Sequence, residues 1–463
     1  MTITRRTFFL ATAAAASAQS KRKPNLVLIL ADDLGYGDLA CYGGSVPTPH
    51  IDGLARAGTR FTDGYVSAAV CSPSRAALLT GLYQQRLGHE FNSGEVDREA
   101  KIGFGLPKGA EILPAMLKAH GYRSAALGKW HLGAREGYHP LDRGFDEFYG
   151  FLPGANNFVT AKTPGAAIAP VRNEGEATRP ERQHKLWRNR ETVEDHAHLT
   201  ESLGAEAAAF IERNRTTPFF VYLAFNAVHT PLESTTKYVD RVAHIADPKR
   251  RLLAAMTIAM DDAVGAVLDK LKAMGLERDT MVVFLSDNGS PIVTGAGSNG
   301  PLRGEKVTYY EGGVRVPFAM RWPGRIRAGR VFTEPVVSRD VVPTFLAAAG
   351  IPAPRAFDGV NLLPFLARGS GRPHEALFWR AGTGRAARIG RWKWIEHTAG
   401  NFTGLYDLKL DPGERNNQAA AEPDRVRKIR AEWEAWSKQM AAPAWPERSR
   451  DVVVDGQRLH WQL

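Results

Sequence analysis

The sequence predicts an α/β fold, with a large, mainly parallel sheet flanked by helices and a small antiparallel sheet plus helix at the C-terminal end. Three observations lead there. Short apolar runs of strand length alternate with helix-period segments. Several of those runs stop abruptly at charged residues, as strands of a buried parallel sheet do at one edge. Past about Pro364 the alternation gives way to short strands separated by tight turns.

Taken in order, Asn25-Leu26-Val27-Leu28-Ile29-Leu30 is a continuous apolar run that ends at Asp32-Asp33, which suits a strand buried on both faces. Thr48-Pro49 opens a helix through Ala57, with proline at the first helical position and Gly58 as the stop. A second helix is expected from Glu111 to His120, halted by Gly121, then a strand from Tyr122 to Leu127. Residues Thr217 to Ala224 read as another buried strand, leading into Asn226-Ala227-Val228-His229. A long helix from Arg251 to Met274, stopped by Gly275, precedes a strand from Thr280 to Leu285 that ends at Ser286-Asp287-Asn288. Residues 173–194, rich in Arg and Glu, read as a surface insertion. Ala376 to Trp379, Ala387 to Trp394 and Gly404 to Leu408 read as three strands, followed by an amphipathic helix from Pro423 to Met440. The domain division is therefore a signal over 1–18, a large α/β domain over 19–365 and a C-terminal subdomain over 366–463.

The signal is read from Thr4-Arg5-Arg6-Thr7-Phe8-Phe9-Leu10, a twin-arginine pair before an apolar stretch too short to span a bilayer, ending in Ala16-Ser17-Ala18. It resembles a bacterial Tat signal, which implies export of an already folded protein, to the periplasm. No later apolar run is long enough for stable membrane insertion. Apolar residues make up 44% and charged residues 24% of the 463, which excludes a disordered chain. The formal charge of +11 suits polyanionic partners, among them a sulfated glycan. The positive charges are scattered, and no basic helix or interleaved aromatic array marks a nucleic-acid binder.

Four predicted strand ends carry polar groups at one edge of the sheet: Asp32-Asp33, Lys129 with His131, His229, and Asp287-Asn288. Three carboxylates and an amide are hard oxygen donors, which suit Ca²⁺ or, less well, Mg²⁺ and suit zinc poorly. Only two cysteines occur, Cys41 and Cys71, and a disulfide between them is one reading in an exported chain. In Cys71-Ser72-Pro73-Ser74-Arg75, Ser72 is expected as N-cap and Pro73 in the first turn of a helix stopped by Gly81. Residue 71 then stands at a helix N-terminus, where backbone N–H groups favour an anion, with Arg75 one turn on.

The eleven residues Cys71-Ser-Pro-Ser-Arg-Ala-Ala-Leu-Leu-Thr-Gly81 resemble the first motif of the type I sulfatases, whose cysteine is oxidised to formylglycine. Gly121-Tyr-Arg-Ser-Ala-Ala-Leu-Gly-Lys-Trp-His131 is similar to the second motif. The order of the remaining elements, through the His229 loop and Asp287-Asn288 to Gly304-Glu305-Lys306, also matches that family, which belongs to the alkaline-phosphatase-like superfamily. The resemblance implies an aldehyde at residue 71, hydrated to a geminal diol and bound to Ca²⁺, one oxygen of which attacks sulfur. It implies Lys129, His229 and Lys306 as holders of the sulfate, His229 as proton donor to the leaving alcohol, His131 as acceptor in sulfate release, and Arg75 as holder of the metal-side oxygen of residue 71. It also implies a formylglycine-generating or sulfatase-maturating enzyme as partner. Arg303, the loop from His89 to Asp97 and the segment from Phe151 to Asp195 are candidates for substrate specificity, with a carbohydrate sulfate as the expected substrate. Two other readings stay open: a phosphodiesterase or phosphonate monoester hydrolase of the same superfamily, and a sulfated-glycan-binding protein without turnover.

Overall fold

The first apolar run forms the strand Asn25–Ala31, every residue of it buried. In this computed structural model, which describes residues 22–93, 104–168, 185–291, 294–447, 449–454 and 457–462, that strand lies near the middle of a ten-stranded sheet. The order across the sheet is Arg330–Phe332, Thr59–Phe61, Phe318–Arg321, Thr280–Ser286, Asn25–Ala31, Phe219–Ala224, Arg123–Lys129, Glu147–Phe151, Leu186–Arg188 and Glu191–Val193. The stretch from Thr280–Ser286 to Glu147–Phe151 is parallel throughout, and antiparallel strands join at both flanks.

The period of two explains why the apolar runs are continuous. Val27, Ile29 and Ala31 enter one core with Val221, Leu223, Val282 and Phe284, against the helices Pro49–Arg56, Leu199–Arg213 and Pro248–Ala273. Leu26, Leu28 and Leu30 enter the opposite core with Phe220, Tyr222 and Val283, against Cys71–Thr80, Leu113–Lys118 and Val341–Ala348. A strand with a hydrophobic layer on each face has no polar side to show.

The C-terminal sheet departs from the three strands expected. Four antiparallel strands form: Ala376–Ala381, Gly384–Ile389, Trp392–His397 and Phe402–Asp407. The stretch expected as one strand from Ala387 to Trp394 is folded back on itself at Gly390-Arg391, where Gly390 takes φ +56° and closes a two-residue hairpin turn. Alternation again sets the layers. Trp379, Ala386, Ile395 and Tyr406 pack on Tyr65, Val66 and Tyr310 of the larger domain, while Ala387, Trp394 and Leu405 pack on the helix Pro423–Ser437.

The helix expected from Glu111 to His120 is shorter, Leu113–Lys118, because Pro114 fits only its first turn. Of the expected surface insertion, residues 173–184 lie outside the described chain. Its end is ordered into the hairpin Leu186–Arg188 and Glu191–Val193, which extends the main sheet at one edge. The export signal expected over residues 1–18 also lies outside the described residues. Among the described residues, no helix is long and apolar enough to cross a membrane.

Candidate active site

Register brings the strand ends level. Ala31 is paired with Ser286, Leu30 with Ala224, Ala224 with Gly128, and Lys129 with Phe151. The next residues of each strand, Asp32-Asp33, Asp287-Asn288, the Asn226–His229 turn and Trp130-His131, therefore leave the sheet side by side. Backbone bonds stitch them together: Asp32 N–H donates to the Ala227 carbonyl at 2.8 Å and Asp287 N–H to the Ala31 carbonyl at 3.0 Å.

Cys71 is set against this edge by the helix Cys71–Thr80. The helix begins two residues earlier than Ser72 as N-cap implies: Val70 is the N-cap, with no side chain to cap, and Ser72 is already helical. The Ser72 hydroxyl is committed elsewhere, donating to the His131 carbonyl at 2.6 Å and lying 2.7 Å from His89 Nε2. The Cys71 Sγ is buried, 3.4 Å from Asp32 Oδ1 and 4.0 Å from Asp33 Oδ1. Burial and the neighbouring Asp287 push its thiol well above the usual range. No disulfide joins it to Cys41, so that alternative is not realised.

Three cationic side chains are interleaved with three carboxylates. Lys129 Nζ donates to Asp32 at 2.5 Å, and Lys306 Nζ lies 2.8 Å from Asp33 Oδ1 and 2.9 Å from Oδ2. Arg75 donates to Asp287 Oδ2 through Nε at 2.9 Å and a terminal nitrogen at 2.7 Å, and to the Lys129 carbonyl at 3.0 Å. Arg75 thus reaches the helix-end cluster through Asp287 rather than through residue 71. Burial alone would raise the Asp33 carboxyl, but Lys306, His229 and Lys129 outweigh it and hold the group far below its ordinary value. Burial and the charge of Asp32 push Asp287 upward against Arg75. Despite its burial, Lys306 is held above the usual lysine range by Asp33.

The histidines differ in orientation. His229 Nδ1 donates to the Thr230 carbonyl at 2.6 Å, which leaves Nε2 facing Asp33 at 3.6 Å. Burial, with Lys306 beside it, lowers this imidazole to about 4. His131 takes φ +57° after Trp130, and burial plus Lys129 and Arg75 hold its imidazole well below the usual value. A Cβ built on Gly154 would stand 2.6 Å from His131 Nε2, so only glycine lets that loop close over the ring.

The donor set fits a hard divalent cation. Asn288 Nδ2 is occupied, donating to Asp33 Oδ1 at 2.6 Å and to the Gly289 carbonyl, while its Oδ1 is buried with no partner. An unpaired buried carbonyl among carboxylates is costly unless something electropositive meets it. Asp32, Asp33, Asp287 and Asn288 are therefore the residues that could hold Ca²⁺ or Mg²⁺. His50, Asp261 and Asp262 also group together, but Asp261 accepts the backbone N–H of His50 and Ile51, and Asp262 pairs with Arg241.

Two expected specificity residues are committed to contacts within the protein. Arg303 turns away from the cluster, donating to the Glu414 carbonyl at 2.9 Å and to Tyr406 Oη at 3.3 Å, with Tyr310 under its guanidinium. His89 is fully buried against Trp445, and Glu90 beside it pairs with Arg380, so this part of the loop is support. Residues 94–97 of that loop lie outside the described chain. The contacts of Ser72, His89 and Gly154 behind His131 were not visible in the sequence. The adjacency of Gly154 and His131 in particular depends on two strands lying side by side.

Comparison with known proteins agrees with this geometry. Residues 24–351 match the Sulfatase family model, and residues 304–439 match the model for N-sulphoglucosamine sulphohydrolase, C-terminal. The chain is 33% identical over 454 residues to N-acetylgalactosamine-6-sulfatase of Mus musculus, covering 86% of this chain and 82% of that protein. It is 36% identical over 439 residues to steryl-sulfatase of Mus musculus, covering 79% and 68%. Among solved structures, Ps i-CgsB in complex with k-i-k-neocarrahexaose superposes with a TM-score of 0.82 at 34% identity, over 92% of this chain and 95% of that one. With the family matched over most of its length, the chain belongs to the type I sulfatases of the alkaline-phosphatase-like superfamily and is a sulfuric ester hydrolase.

Proposed function

We propose that this sulfatase cleaves a carbohydrate sulfate ester, using formylglycine made from Cys71 and Ca²⁺ held by Asp32, Asp33, Asp287 and Asn288. The observation that carries the reading is the meeting of Cys71, three carboxylates, an unpartnered amide oxygen and two lysine ammonium groups at one strand edge. The Cys71 sulfur stands where an oxygen of formylglycine would be. Formylglycine at this position supplies an oxygen nucleophile that can also expel sulfate by re-forming its carbonyl. Ca²⁺ in this donor set supplies Lewis-acid stabilisation of negative oxygen.

The chain's own residues do the rest. A sulfate monoester is an anion, so an oxygen nucleophile approaches it only where cations offset the repulsion. Lys129 and Lys306 bring their ammonium groups to the cluster on Asp32 and Asp33 respectively, and these are the groups assigned to the sulfate oxygens. His229, its Nδ1–H tied to Thr230, turns Nε2 to the cluster; the neutral ring carries no proton there, so it donates to the departing alcohol oxygen as the imidazolium, a form that an anionic sulfate beside it favours. An alkoxide leaves poorly without that proton. His131, kept neutral by burial beside cations, is assigned as the proton acceptor in the release step. Arg75 holds Asp287 in place. The balance is an ester and water giving the alcohol, sulfate and a proton.

The carbohydrate assignment draws on two supports. One relative acts, by its name, on N-acetylgalactosamine-6-sulfate, and the superposed Ps i-CgsB holds a neocarrahexaose. In addition, the loop whose Gly154 abuts His131 continues through Asn156, Asn157 and Phe158 into a cavity of about 600 Å³. Lys162, Lys185 and His196 also line it, a polar setting suited to the sugar beyond the sulfate. Export through the twin-arginine signal to the periplasm, after formylglycine formation by a partner enzyme in the cytoplasm, completes the proposal.

The test has two arms. Mass spectrometry of the peptide spanning residue 71, from protein made in the native host, is expected to show the thiol replaced by an aldehyde. A panel of sulfated mono- and disaccharides, nitrophenyl sulfate, and the matching phosphodiester and phosphonate is expected to show turnover dominated by sugar sulfates. Activity confined to aryl sulfates overturns the carbohydrate assignment, and an unmodified thiol in active protein overturns the formylglycine step.

A further inference from the structure

Lys306 stands on a loop whose base is closed by a backbone bond, Gly312 N–H to the Arg303 carbonyl at 2.7 Å. Inside the loop, Thr308 N–H donates to the Glu305 carbonyl at 3.0 Å and the Thr308 hydroxyl to the same oxygen at 2.7 Å. Outside it, Lys306 and Val307 N–H groups reach the carbonyls of Ser290 and Ala69, and Gly289 N–H reaches that of Gly313. The loop therefore bridges the residues just after Asn288 and just before Cys71.

Both sides of the base are held by the C-terminal sheet and the loop that follows it. Arg303 donates to the Glu414 carbonyl and Tyr406 Oη. Adjacent to Gly312, the fully buried Glu311 carboxylate pairs with Lys393 Nζ at 2.8 Å, itself fully buried, while Tyr65 Oη donates to its other oxygen at 2.5 Å. Glu311 N–H donates to Glu414 Oε2 at 2.6 Å. A buried ion pair adds little net stability and is better suited to fixing one arrangement. A lysine reaches its target on a flexible stem, so where its ammonium stands depends on where its backbone is held.

We propose that Lys393 and Glu414 are positioning residues for Lys306, acting through Glu311 and Arg303. The small sheet thereby sets the place of an ammonium group at the sulfate, more than 80 residues away in sequence. This rests on Lys306 being a sulfate ligand.

The experiment is a double-mutant cycle on formylglycine-bearing, Ca²⁺-loaded protein, with Lys306→Ala, Lys393→Met and the double variant. Calorimetric affinity for inorganic sulfate is read alongside kcat and KM for nitrophenyl sulfate. Lys393→Met is expected to lower sulfate affinity and kcat/KM about tenfold or more, as small misplacements of a charged group do. It should have little further effect once Lys306 is alanine, and Lys393→Arg should recover part of the loss. Equal losses in both backgrounds overturn the proposal with its premise intact. Unchanged sulfate affinity in Lys306→Ala overturns it by removing the premise. If Lys393→Met does not fold, the same cycle with Glu414→Met, which removes the acceptor of the Glu311 N–H, decides by the same criterion.

Discussion

Asn288 shows at the level of a single residue how the cluster divides its labour. Its Nδ2 is spent on Asp33 and Gly289, while its Oδ1 is buried and unpaired. If that oxygen is a cation ligand, Ca²⁺ should stabilise even an inactive Cys71→Ala protein, by about 2.7 kcal/mol at a hundredfold excess over Kd. Asn288→Ala in that background should lose most of the gain, read as the thermal shift between Ca²⁺ and chelator. An equal shift in both proteins would place the cation elsewhere. Arg75 tests the same cluster from the other side. Replacing it with methionine strands the buried Asp287 carboxylate, and should cost roughly 3–5 kcal/mol in denaturant unfolding, with Arg75→Lys losing less. The acidic pairs stood out in the sequence because each follows the end of a strand, whereas Cys71, Lys129 and His131 were singled out by the resemblance of their segments to two sulfatase motifs. The direction of Arg303 was not legible, because nothing local says that its guanidinium turns towards Glu414 and Tyr406.

Among the elements, the loop that follows the four-stranded C-terminal sheet contributes the most unexpected electrostatics. Glu414 is fully buried, and burial, with Glu311 adding to it and Lys393 opposing, pushes its carboxyl up to about 8. The sign follows from proton uptake: between the ordinary glutamate value and about 8, the folded protein keeps a proton that the unfolded chain has lost. That contribution to stability is whole at low pH and is lost as pH rises through about 8. Glu414→Gln should therefore flatten the decline of stability between pH 5 and pH 9, measured by denaturant midpoints at each pH. A decline as steep as in the parent would mean that Glu414 titrates normally. The sequence marked this sheet correctly as antiparallel but merged two of its strands, since apolar residues mixed with Arg388, Arg391 and Lys393 from Ala387 to Trp394 read as one half-buried strand and only Gly390 betrays the turn. Likewise Ser72 looked like a cap because serine usually is one; its hydroxyl instead serves the His131 carbonyl.

Across the whole molecule, a net charge of +11 surrounds a site that takes an anion. Long-range attraction of this kind raises association rates for polyanions and is screened by salt. For a highly sulfated oligosaccharide, kcat/KM should fall several-fold between low and physiological ionic strength, while the value for nitrophenyl sulfate should change far less. Equal salt dependence for both substrates would mean that the scattered basic surface plays no part in capture. At this scale the two matched segments also make sense together: residues 304–439 combine the Lys306 loop with the sheet that braces it.

What the sequence by itself determined is the parallel sheet, its polar edge and the identity of the groups at that edge. Those follow from local rules, in which continuous apolar runs make doubly buried strands and their charged successors must emerge at one end. The tertiary structure alone decided which of those groups touch. The register of Ala31 with Ser286 and of Ala224 with Gly128 sets acids, lysines and histidines within contact. Folding of the C-terminal sheet onto Tyr65 and Tyr310 ties Lys393 to Glu311. Such pairings join residues separated by tens to hundreds of positions, and side-chain direction over those distances is set by packing, which no local pattern encodes.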